Sequence, residues 1–246
     1  MNDTLPSADV SSVLILKADR LCAAAIAQSA RSVFPDVTIQ LLRRIQDARA
    51  SLTVAPVDLL VTGVSLPDGD VIDFLAENQN ETRRFMRVMV VTEHREPHVL
   101  RCLQLMRVDG VFHPGLETCE RLADALRSAA AGRKDWTPGL LESLQQDNRL
   151  NSIPRRLTPG ELRVFAVSAA GCDPNTAADL LGLKLSTIQG ALKEIHRKLD
   201  LHHKGELHEL GAEYGVVRFT PGGVVRPGFA LLSSACRRRV PSTVPA

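Results

Sequence analysis

A chain of 246 residues suits one large or two small domains, and with 44% hydrophobic and 24% charged residues it can bury a core and remain soluble. No apolar run reaches the roughly 18 residues of a membrane span, and MNDTLPSADV lacks the basic-then-apolar order of a signal peptide, so the expectation is a cytoplasmic protein with no membrane partner. The net charge of +2 conceals an asymmetry, with 17 Lys/Arg against 20 Asp/Glu in residues 1–149 and 13 against 8 in residues 150–246, which points to a nucleic-acid partner for the second part.

Strand and helix patterns alternate up to about residue 131. VLILK (13–17) reads as a buried strand and Arg20 to Val33 as a helix. VTIQLL (37–42) is a strand and IQDARASL a short helix. DLLVT (58–62) runs through the turn GVSLPDGD into the helix VIDFLAEN, RVMVVT (87–92) precedes the helix PHVLRCLQLM, and DGVF (109–112) precedes the helix LETCERLADALRSAAAG. Five strands, each followed by a helix, predict a parallel, doubly wound sheet covered on both faces.

Residues 1–131 resemble a response-regulator receiver domain, a flavodoxin-like fold, with GVSLPDGD in the place of the family's D-x-S-L-P-x-x-D/G turn. In that family an aspartate ending the third strand accepts a phosphoryl group, and two acids ending the first strand hold Mg²⁺. The match puts Gly63 at the acceptor position, and Lys17 and Ala18 at the metal positions. Thr92 is retained, and the family's lysine after the fifth strand is replaced by Pro114, or by His113 if one residue is deleted. Phosphoryl transfer needs the carboxylate and a cation to offset charge on the moving group. Mg²⁺ needs carboxylate oxygens. The resemblance therefore implies a receiver scaffold without its chemistry. Asp19 and Asp68 lie nearby in sequence as possible substitutes and read as solvated loop acids. Lys17 either takes the metal's space, paired with Asp19 or Asp68, or extends to solvent.

Residues 132–154, with the helix PGLLESLQQ between polar and Pro-containing segments, read as a linker against which Trp136 packs. From residue 155 the pattern is helical only. Thr158-Pro159 with Glu161 caps a helix ending at Gly171. PNTAADLLG closes at Gly182, a third helix runs from about Ser186 to Leu199 with Ser186 as a late cap, and a fourth from about Lys204 to Tyr214. On the third helix Ile188, Leu192, Ile195 and Leu199 form an apolar stripe, opposite Gln189, Gly190, Lys193, His196 and Arg197.

Residues 155–217 resemble the LuxR/NarL-type four-helix, helix-turn-helix DNA-binding domain, through L-T-P-x-E (157–161), Gly171, A-x-x-L-G-L (178–183), Thr187-Ile188 and R-K-L (197–199). The resemblance places Gln189, Gly190 and Lys193 at base edges and Thr187, Arg197 and Lys204 at phosphates. It implies a homodimer through the fourth helix, with Leu207, Leu210 and Tyr214 outward and small Gly211 between them. Residues 218–246 form an extension whose Pro/Gly start and RRR cluster read as a flexible arm touching DNA or as an end without a role.

Five widely spaced cysteines without CxxC read as reduced thiols, and the adjacent His202 and His203 have no further ligand at metal spacing, so no metal or cofactor is expected. No Gly-rich phosphate loop or nucleophile–base pair supports an enzyme. The reading is a DNA-binding transcription regulator, independent of aspartate phosphorylation, with room for a regulatory protein partner on the receiver-like domain. The alternative is a protein-interaction adaptor or antagonist that uses the receiver-like surface and does not select DNA.

Overall fold

The computed structural model describes residues 10–78, 84–106, 108–149, 153–220 and 223–232. The chain divides into two compact units, Met1–Arg95 with Leu103–Glu142, and Glu96–Cys102 with Ser143–Ala246. Among the described residues no helix is long and apolar enough to cross a membrane.

Up to residue 136 the chain forms β1 (Ser12–Leu16), α1 (Arg20–Val33), β2 (Thr38–Leu42), α2 (Ile45–Val54), β3 (Val57–Thr62), the two-residue strands β4 (Ser65–Leu66) and β5 (Gly69–Asp70), α3 (Val71–Asn78), β6 (Phe85–Val91), α4 (Pro97–Leu105), β7 (Gly110–Phe112), α5 (Cys119–Ala130) and β8 (Asp135–Trp136), all in the first unit except the Pro97–Cys102 part of α4. The sheet runs β2-β1-β3-β6-β7-β8 with every pair parallel. Val13–Leu16 and Leu59–Val61 are buried, as expected for inner strands covered on both faces by helices. Asp58 ties the start of β3 to that of β1, its Oδ2 accepting from the amides and hydroxyls of Ser11 and Ser12 at 2.8–3.0 Å.

The sheet has six strands where the sequence predicts five. Asp135-Trp136 joins the β7 edge, with Val111 opposite Trp136, and Arg121 of α5 pairs with the Asp135 carboxylate. Trp136 is therefore a strand residue, not part of an irregular linker segment. The two-residue pattern is too short to show period-two alternation, and its hydrogen bonds come from residues 109 and 111, distant in sequence.

After α6 (Pro138–Arg149) and the single turn α7 (Ile153–Arg156), the second unit carries α8 (Pro159–Ala169), α9 (Pro174–Leu181), α10 (Leu185–Leu199), α11 (Lys204–Tyr214) and a hairpin of β9 (Arg218–Thr220) and β10 (Gly223–Val225). Thr158 and Glu161 form the predicted capping box, with Pro159 at the first helical position. Asp173 caps α9, and Gly182 ends it at φ 63°. Leu162, Phe165, Ala169, Ala177, Leu181, Ile188 and Ile195 form the core, against which Phe229 and Leu232 also pack. Residues 218–220 and 223–232 thus form a hairpin and a packed turn, not a free arm; Arg237–Arg239 lie outside the described residues.

Candidate nucleic-acid interface and the mouth of the sheet

In the first unit, the C-terminal ends of β1, β3 and β6 bring Lys17, Gly63 and Thr92 to one mouth of the sheet. The Lys17 side chain crosses this mouth, and its Nζ donates to the Val91 carbonyl at 3.0 Å. Gly63 lies beneath it: a Cβ there would stand 3.0 Å from Lys17 Cδ and 3.4 Å from Nζ. The Gly63 amide donates to Leu16 O at 3.0 Å, and the buried Thr62 hydroxyl donates to Leu16 O and Gly63 O at 3.2 and 3.0 Å. A methylene chain and an ammonium fill the space above the third strand.

The nearby acids are engaged elsewhere. Asp19 accepts from the Cys22 amide at 2.6 Å and caps α1. Asp68 accepts from the amides of Ile45 and Gln46 at 2.9 and 3.0 Å, closing the start of α2, whose N-cap residue Arg44 makes no side-chain bond. Both are exposed, as the sequence predicts, and each also caps a helix; the Lys17 ammonium reaches a carbonyl instead of either carboxylate. A donor set of one ammonium, Ala18 and Gly63 does not fit Mg²⁺, which requires carboxylate oxygens. Among the described residues no group of three or more His, Cys, Asp or Glu could hold a metal ion.

The rest of the mouth is held by Thr92 and His113, both named from the sequence, and by Ser65, His94 and Arg95, which sequence reading did not single out. Thr92 is buried, and its hydroxyl accepts from the His94 amide at 3.1 Å. The His94 ring lies 2.9 Å from the Ser65 hydroxyl. His113, the residue after β7, is buried with Arg95 Nε 3.0 Å from its Nε2, while Pro114 is only half-buried. Neither residue supplies the ammonium of the family's lysine. The pairs Ser65–His94 and Arg95–His113 join separate loops, so no local pattern announces them.

In the second unit, α10 buries Ile188, Ile195 and Leu199, with Leu192 half-buried. Thr187, Gln189, Gly190, Lys193 and Arg197 are exposed, as is Lys204 at the start of α11. His196 is the exception: half-buried, its Nδ1 lies 3.1 Å from Leu201 O. A Cβ added at Gly190 would find no heavy atom within 4 Å. Arg197 pairs with Glu194 at 2.7 Å, and this bond holds the Glu194 carboxyl below its usual range. Lys184 occupies the N-cap position of α10 without a side-chain bond, so Ser186 lies inside the helix and does not cap it.

Lys198, next to Arg197, turns inward to the capping residue of α8, its Nζ 2.7 and 2.8 Å from the Glu161 oxygens. Burial opposes ionisation of Glu161, but the hydrogen bonds from Lys198 and Thr158 outweigh it and hold the carboxyl below its ordinary range. The cap was legible in sequence, whereas its second partner lies 37 residues away on another helix.

The fourth helix corrects the expected dimer surface. Leu207 and Tyr214 are 1% and 4% exposed and belong to the core, with Leu210 packed against it. Gly211 is buried against α8, where a Cβ would collide with Ala169. The 3–4 spacing of these residues is the stripe of a helix packed on its own domain. The outward positions are Lys204, Gly205, Glu209, Ala212 and Glu213.

No protein-family model matches the chain. It is 28% identical over 159 residues, 65% of its own length and 72% of the relative's, to the probable transcriptional regulatory protein SgaR of Hyphomicrobium methylovorum. Among solved structures it is similar to RcsB in a two-component response regulator–DNA complex, with 19% identity, a TM-score of 0.56, and coverage of 83% of this chain and 98% of that one. It is also similar to RcsB of Salmonella enterica serovar Typhimurium bound to the rprA promoter with the phosphomimetic BeF₃⁻, at 19% identity and a TM-score of 0.58 over 81% of this chain and 97% of that one. At such identities the likeness establishes fold. In fold, the chain is similar over more than four-fifths of its length to response regulators solved in complex with DNA.

Proposed function

We propose that this protein is a sequence-specific DNA-binding transcription regulator that works without aspartate phosphorylation and binds as a dimer. Residues 1–131 act as a pseudo-receiver, 132–154 as a linker, 155–217 as a LuxR-type helix-turn-helix domain, and 218–246 as an extension. The observation that carries the reading is the outward face of α10, where Thr187, Gln189, Gly190, Lys193 and Arg197 stand exposed opposite a buried apolar stripe. Gln189 suits adenine, Lys193 suits guanine or a phosphate, and Thr187, Arg197 and Lys204 suit phosphates. The DNA-bound RcsB structures of similar fold and the relative described as a probable transcriptional regulator support it. Dimerisation uses the outward side of α11, where Gly205 and Ala212 leave space beside Glu209. Independence from phosphorylation rests on Lys17 over Gly63. A regulatory partner on the receiver-like domain, near α4 and β7, would then supply the input.

The test is selection of sites from a random duplex library by the full chain, followed by gel-shift titration at several salt concentrations. Lys193→Ala should weaken the selected site by about 1–3 kcal/mol and relax one position per half-site. Arg197→Ala and Lys204→Ala should weaken all sequences alike and make the salt slope shallower by about one unit each. Unchanged binding in all three variants would remove α10 from the groove and favour the adaptor reading.

A further inference from the structure

Three leucines project from the second unit where α9 turns into α10. Leu180 is 52% exposed, Leu183 39% and Leu185, the first residue of α10, 38%. None belongs to the second unit's core or to the partly buried residues packed against it, although Leu181 between them does. Internal packing therefore does not account for a leucine at position 185. Its place on the helix suggests what does. Leu185, Gln189 and Lys193 follow at four-residue intervals and form one ridge of α10, with Gln189 and Lys193 exposed. Lys193 on the ridge and Lys184, Arg197 and Lys204 near it are cations, all exposed, so the surface around the leucine is complementary to a polyanion.

In a major groove, base edges present donors and acceptors, and the apolar group among them is the C5-methyl of thymine. We infer that Leu185 is a specificity-determining residue that packs on the C5-methyl of a thymine; the inference rests on the DNA-binding reading and extends it to a base class and a residue. Four residues separate Leu185 from Gln189, a rise of about 6 Å. Base steps on one strand are about 3.4 Å apart. The thymine therefore lies one or two steps from the base that Gln189 contacts. Lys184 at the N-cap is free of a capping bond and stands beside the leucine to reach the adjoining phosphate.

The experiment replaces thymines one at a time by deoxyuridine, which removes only the methyl group, in a site selected by the wild-type full chain. Wild type should lose about three- to fivefold in affinity at one position per half-site, the size expected when one methyl is no longer withdrawn from water. Leu185→Ala should bind the thymine and deoxyuridine sites equally, near the wild-type affinity for the deoxyuridine site, and Leu185→Met should keep most of the discrimination. Circular dichroism and melting of both variants should match wild type, since the side chain lies outside the core. Equal binding of every deoxyuridine site by wild type, or discrimination that survives in Leu185→Ala, would overturn the assignment while leaving DNA binding intact. Failure of the wild type to enrich any sequence would overturn the DNA reading itself, and this inference with it.

Discussion

At Gly63 the missing side chain makes room for Lys17, and at Gly190 it leaves open space. The two positions therefore respond differently to alanine. Gly63→Ala pushes on Lys17 Cδ and loosens the ammonium from Val91 O, so it should destabilise by about 1 kcal/mol, the net worth of one hydrogen bond. In a Lys17→Ala background the same change should be neutral or slightly stabilising. Chemical denaturation of the four proteins gives the coupling, expected at about 1 kcal/mol; additive effects would separate the two residues. Gly190→Ala should instead stabilise the fold by about 0.5–1 kcal/mol, because glycine inside a helix is disfavoured and no neighbour objects. If the bare backbone at residue 190 serves close approach to a base pair, that more stable variant should bind its selected site more weakly. Melting and gel shift on one preparation check both signs.

At the scale of elements, one carboxylate joins two helices. Glu161 closes the capping box of α8 and receives Lys198 of α10, so it holds α10 as well as its own helix. Glu161→Ala should destabilise the second unit by about 1–3 kcal/mol, a cap and a largely buried polar contact together. The sign of the pH dependence follows from the direction of the shift. The folded-state value lies below that of the unfolded chain, so the contribution is complete above about pH 4.3 and is lost as pH falls through the lower folded-state value. Denaturation midpoints measured from pH 7 to pH 3 should fall more steeply for wild type than for the alanine variant. At α11, Ala212→Glu should shift the full chain toward monomer in sedimentation at micromolar concentration, whereas Leu207→Ala should lower stability by about 2–5 kcal/mol as a core truncation.

Across the whole molecule, the proposed independence from phosphorylation has a direct consequence. Acetyl phosphate with Mg²⁺ should leave the intact mass unchanged, and BeF₃⁻ with Mg²⁺ should leave both melting temperature and DNA affinity unchanged. Gly63→Asp should not restore the chemistry, because the new carboxylate would meet the Lys17 ammonium and the metal would still lack its other ligands. A mass increase of one phosphoryl group in that variant would show that the mouth still holds a usable cation site.

The parallel sheet, the helices of the second unit and the absence of acids at positions 17, 18 and 63 were legible in the sequence. Buried strands, caps and apolar stripes are local patterns with fixed periods, and a missing functional group is visible in one dimension. The outward face of α10 was legible for the same reason, since its complement is the stripe that Ile188, Ile195 and Leu199 bury. Four features waited for the tertiary structure: the sixth strand, the inward side of α11, the capping duties of Asp19 and Asp68, and the path of Lys17 to Val91. Two residues are too few to show an alternation, so β8 is specified by the open edge of β7. Leu207, Leu210 and Tyr214 would have the same spacing on an exposed dimer face or a buried one. Only the presence of α8 beside them, close enough to exclude a side chain at Gly211, decides which it is.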